Sequence, residues 1–134
     1  MRARRHLALL FLLGAACGPS EPVKPATLTR VQTEVFAISC VTSACHPATT
    51  PQMGLNLTGA THARLVGVPS VEKPSMKLVE AGSPDNSYLM DKLLNRNIPT
   101  STVENITDMP PGFRLEQERL DLVKDWIAGG ALDN

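Results

Sequence analysis

Cys40-Val41-Thr42-Ser43-Ala44-Cys45-His46 is the stretch on which the reading of this chain turns. Two thiols stand five positions apart, and an imidazole directly follows the second. Three chemistries use such a group: a disulfide loop, a metal site, or the attachment of a c-type haem. In the last, each thiol adds to a vinyl group and the adjacent histidine ligates the iron. The usual attachment sequence has two residues between the cysteines. Here there are four, so the loop between the two sulfurs has to bulge away from a flat ring. The surrounding sequence has to decide among the three.

The N-terminus bears on the compartment. Arg2, Arg4, Arg5 and His6 precede the apolar run 7–16, which is too short to span a bilayer and reads as a secretory signal. Leu13-Gly14-Ala15-Ala16-Cys17 looks like a bacterial lipobox, in which Cys17 is lipidated and becomes the new N-terminus. An ordinary signal peptide cleaved nearby is the alternative, and both versions export the chain. Residues 1–16 are thus expected to be a signal peptide. Residues 17–26 read as a lipid-anchored linker, because Pro19, Pro22 and Pro25 oppose a helix there. The domain itself is expected over 27–134, on a membrane facing the periplasm or at the cell surface. Lipidation of Cys17 would account for the odd one of three cysteines and leave Cys40 and Cys45 as a pair.

Charge and motifs narrow the function classes. Three of the 13 Lys and Arg precede residue 17 and none of the 13 Asp and Glu do, so the processed chain carries a net charge of −3. No basic patch remains for a nucleic acid. The sequence has no H-E-x-x-H, no phosphate-cradling glycine loop and no nucleophile–base arrangement, so no enzyme is expected.

Hydrophobic spacing predicts a mainly α domain. From Leu28 to about Ser39, Leu28, Val31, Val35, Phe36 and Ile38 share one side, with Thr27 as N-cap. A second helix opens with Ser83 as cap and Pro84 at the first position, and carries the pairs Leu89/Leu93 and Met90/Leu94. A third runs from Leu115 to about Ala128 and stops at Gly129-Gly130. Its apolar arc is Leu115, Leu120, Leu122, Val123, Trp126 and Ile127, opposite Gln117, Glu118, Asp121, Lys124 and Asp125. A short turn around 61–66 would be a fourth helical piece. Phe36, Tyr88, Phe113 and Trp126 are the large rings of the domain. The thin core they imply would be filled either by a buried haem or by Leu, Val and Ile.

Five pieces stand in order, the opening motif first: Cys40 to His46, Gly54-Leu55-Asn56-Leu57, Gly82-Ser83-Pro84-Asp85-Asn86-Ser87-Tyr88-Leu89, Met109-Pro110-Pro111-Gly112 and Trp126-Ile127-Ala128-Gly129-Gly130-Ala131. This order resembles a class I cytochrome c domain, and within that class it is similar to small c-type modules of exported bacterial proteins. The resemblance implies a cytochrome c-like fold of three to four helices with long loops around one covalent haem c. Cys40 and Cys45 would hold the thioether links, His46 would be the proximal iron ligand and Met109 the distal one. Independently, a thioether sulfur favours reduced iron, and Pro110-Pro111 stiffen the loop that presents Met109.

The residues leave rivals open. Met53, Met76 and His62 are competing distal ligands, and a structural zinc site from Cys40, Cys45, His46 and His62 is conceivable. The expected function is a membrane-tethered electron carrier that serves exported donor and acceptor proteins. The alternatives are a haem-free lipoprotein with a Cys40–Cys45 disulfide and an adaptor role, and a haem-based gas sensor.

Overall fold

The computed structural model describes residues 22, 24–99 and 108–134. The expected signal peptide, Cys17 and most of the linker lie outside the described residues. The chain is mainly helical. Its helices are α1 (28–39), α2 (His62–Leu65), α3 (Tyr88–Leu94) and α4 (Gln117–Ala128), with 3-10 turns at Gln52–Gly54 and Pro84–Asn86. Among the described residues, extended backbone pairs only in isolated bridges such as Val66 with Val79. None of the described helices is long and apolar enough to cross a membrane.

Thr27 caps α1 as its sequence position predicts: its backbone is extended and its hydroxyl accepts from the Arg30 amide at 3.2 Å. The helix is not uniform. Leu28–Arg30 and Ala37–Ser39 are α-helical, but Val31–Phe36 is π-helical. A π turn is wider, so each residue advances less around the axis than α spacing assumes. Val31, Val35 and Phe36 remain buried together, whereas Ile38, expected on the apolar side, is 56% exposed. Asn134 closes the start of α1, its side-chain and main-chain oxygens accepting from the Leu28 and Thr29 amides at 2.9 Å each. Two of the amides that a helix start leaves without partners are satisfied in this way.

α4 packs across the π segment of α1. The predicted arc is buried in full, from Leu115 through Ile127, and the predicted polar side is exposed. Each fully buried aliphatic side chain contributes roughly 1.5–3 kcal/mol. The helix starts two residues later than its apolar pattern, at Gln117, because Glu116 holds the cap position with extended backbone (ψ 146°). At the other end Gly129 keeps a negative φ of −74°, and it is Gly130, at φ +100°, that turns the chain out of the helix.

The second predicted helix needs the larger correction. Ser83 and Pro84 do not open it; Pro84–Asn86 forms a separate 3-10 turn, and α3 begins at Tyr88 after an extended Ser87. The buried Ser87 hydroxyl accepts from the Glu80 amide and donates to the Ser83 carbonyl, both at 2.9 Å. Such local bonds compete with the helical ladder and hold the chain extended for one residue. The apolar pairs survive this shift, with Met90 and Leu93 buried.

Candidate cofactor cavity

Between the end of α1, the loop that follows it, α3 and the Met109 loop lies a cavity of about 390 Å³. That falls within the roughly 300–1,000 Å³ usual for ligand pockets. Cys40, Cys45, His46 and Met109 all line it, although Met109 is more than sixty residues downstream of the others. Phe36, Leu55, Leu57, Leu65, Leu78, Leu89 and Leu93 supply much of its apolar wall.

The cysteine–histidine loop is built by main-chain bonds. The Cys40 amide closes the last turn of α1 on the Phe36 carbonyl, and the His46 amide returns to the Cys40 carbonyl at 3.0 Å. The four intervening residues form a turn in which the Cys45 amide donates to the Thr42 carbonyl at 2.9 Å. Thr42, Ser43 and Ala44 are exposed. The turn between the cysteines therefore faces largely outward at residues 42–44, and Cys40 and Cys45 both line the same cavity. No disulfide joins them. The Thr42 hydroxyl donates to Cys45 Sγ at 2.9 Å, and burial pushes the Cys40 thiol up to about 12, with Cys45 adding to the rise.

His46 is buried, and its Nδ1 lies 2.9 Å from the Leu55 carbonyl. A carbonyl only accepts, so Nδ1 carries the proton and the neutral ring keeps its lone pair on Nε2. Histidines that bind metals are oriented by this same kind of backbone bond. Burial holds the ring below its ordinary pKa, against the opposing pull of the Leu55 and Gln52 carbonyls. The Leu57 amide donates to the His46 carbonyl at 3.0 Å, so the 55–57 segment grips the histidine at two points.

Met109 is held by its amide, which donates to the Lys92 carbonyl at 3.0 Å. Pro110 behind it is buried and Gly112 takes φ +81°, a left-handed turn that suits glycine. Of the rival sulfurs, Met53 also lines the cavity whereas Met76 does not. Met90 belongs to the hydrophobic core, as its place on a helix predicts. His62 lies away from the cavity, its Nε2 2.9 Å from the Ala131 carbonyl. Among the described residues, no three His, Cys, Asp or Glu side chains come together as a set for a bare metal ion.

Tyr88 lines the cavity, whereas Trp126 sits in the core and donates its indole N–H to the Leu132 carbonyl at 2.9 Å. Phe113 is 58% exposed and contributes nothing to the core. Sequence reasoning missed the polar patch of the wall. Glu72 Oε2 accepts from Lys92 Nζ at 2.8 Å and from the Tyr88 hydroxyl at 2.6 Å. Neither charge carries a motif, and Lys92 lies within a helix whose apolar neighbours dominate the pattern. An apolar cavity with soft sulfur donors, one oriented imidazole and a neutral ion pair can enclose a flat, mostly apolar cofactor and ligate a metal at its centre. No protein-family model, curated protein or solved structure matches this chain.

Proposed function

We propose that this chain is a membrane-tethered, single-haem electron-transfer module with a cytochrome c-like domain. One observation carries the reading. Cys40, Cys45, His46 and Met109, singled out in the sequence by type and order, line one largely apolar cavity.

In this reading Cys40 and Cys45 would hold the haem, each thiol through one thioether link to a vinyl group. His46 would ligate through Nε2, the nitrogen that its bond to Leu55 leaves with the lone pair, and Met109 would supply a thioether sulfur. Bound haem supplies a one-electron iron couple, which Met/His ligation shifts toward higher potential. Phe36 and the surrounding leucines exclude water and lower the local dielectric, and the protein performs no bond chemistry on a substrate. One electron enters from an exported donor protein and one leaves to an exported acceptor. Lipidation at Cys17 would confine the module to a membrane surface and raise its encounter rate with partners held there.

The test is a haem-dependent peroxidase stain of the denatured protein, exported from cells with a working cytochrome maturation system. Covalent haem survives denaturation, so a stained band at the chain's mass is expected. An unstained band would remove the electron-carrier reading and leave the haem-free lipoprotein with a Cys40–Cys45 disulfide.

A further inference from the structure

The segment 55–58 has no strand partner, yet each of its four carbonyls accepts a hydrogen bond from a side chain. Leu55 O faces His46 Nδ1 at 2.9 Å, and Asn56 O accepts from Arg64 Nε at 2.8 Å. Leu57 O accepts from Gln32 Nε2 at 2.7 Å, and Thr58 O from a terminal nitrogen of Arg64. Gln32 sits in the π turn of α1 and is itself fixed, because the buried Thr61 hydroxyl donates to its Oε1 at 2.9 Å. A helix side chain and a guanidinium from α2 thus replace the neighbouring strand that such a segment would otherwise need.

We infer that Gln32 and Arg64 are positioning residues for His46. They hold the segment whose Leu55 carbonyl sets the tautomer and orientation of the imidazole. The inference rests on the haem reading above, since it concerns the ligand that His46 presents. Without Gln32 the Leu57 carbonyl has lost its 2.7 Å donor; without Arg64 two carbonyls are released together. In either case the Leu55 carbonyl is free to drift, and the bond that makes the imidazole a stronger donor weakens. Partners of this kind govern metal affinity by roughly 10–100-fold when they touch the ligand directly. One step further out, a change of up to about tenfold is expected, favouring ferrous over ferric iron.

The experiment uses the full exported chain with Gln32→Met, Arg64→Met and, as a control for stability alone, Thr27→Ala at the start of α1. Reduction potential and the g-values of the ferric protein are measured beside the melting midpoint. A tenfold relative loss of ferric affinity reads as a rise of about 59 mV for a one-electron couple. The expected result is a raised potential and altered g-values in both test variants, and unchanged values in Thr27→Ala despite its lower melting point. Wild-type potentials and g-values in both test variants would overturn the inference while leaving the haem reading intact; a wild-type chain without covalent haem would overturn both. Should Arg64→Met fail to fold, Gln32→Met, which removes one local pair of bonds, decides the matter.

Discussion

Replacing Glu72 by leucine removes the carboxylate that meets Lys92 in the cavity wall. At 2.8 Å and an effective dielectric near 20, the attraction between the two charges is about 6 kcal/mol. Desolvating each ion costs several kcal/mol, so the intact pair adds little net stability. The single variant is different. Lys92, whose side chain is 8% exposed, keeps its desolvation cost with no anion to offset it, and Tyr88 loses its 2.6 Å acceptor. The expected loss is roughly 3–5 kcal/mol, against the 5–15 kcal/mol that holds a typical domain together. Urea denaturation followed by circular dichroism measures it, with chains compared at equal haem content. The triple variant Glu72→Leu/Lys92→Met/Tyr88→Phe removes both charges and the hydroxyl, and is expected to return to within about 1 kcal/mol of the parent or exceed it. A single variant as stable as the parent would refute the reasoning, because Lys92 would then have to be solvated within the wall.

Three further outcomes follow from the same geometry. Met109→Ala is expected to abolish the low-spin methionine-ligated spectrum while Met53→Ala retains it, and the reverse result in optical spectra would move the distal ligand to Met53. In the haem-free chain Cys40 holds its proton up to about 12 rather than 9.0, so at pH 8 its thiolate is roughly a thousandfold scarcer than in the unfolded state. Alkylation followed by mass spectrometry should show Cys40 protected in native buffer and reactive in urea; equal rates would contradict its burial. Because that thiol is raised on folding, its contribution to stability is full below about pH 9 and drains as pH rises toward 12. Trp126→Ala, which removes the largest fully buried side chain, is expected to cost roughly 3–5 kcal/mol in the same urea assay, and a cost below about 1 kcal/mol would mean that the core closes over the gap.

Helix content and the apolar face of α4 were legible because both depend on nearest neighbours along the chain. Leu115, Leu120, Leu122, Val123, Trp126 and Ile127 recur at helical spacing, and the structure buries all six. The Thr27 cap was legible for the same reason. The π turn was not: nothing in residues 31–36 departs from α spacing, and the π segment lies where α4 packs on α1 and where Gln32 bonds to Leu57 and Thr61. Nor was the break before α3, where Ser-Pro reads as a helix start until the Ser87 hydroxyl is seen to take the Ser83 carbonyl that a continued helix would give to the Ser87 amide.

Of the candidate site, Cys40, Cys45, His46 and Met109 were singled out by the sequence alone, because side-chain chemistry and chain order need no fold to be read, and all four line one cavity. Tertiary structure decided what surrounds them: that Met53 shares the cavity while Met76 and His62 do not, that Thr42, Ser43 and Ala44 are exposed, and that Leu55 receives the imidazole proton. It also brought in Glu72 and Lys92, and Gln32 and Arg64, from separate parts of the chain. The physical reason is the range of the forces. Periodicity and capping act over one or two turns of backbone, whereas hydrogen bonds and ion pairs act over about 3 Å between groups that only folding makes neighbours.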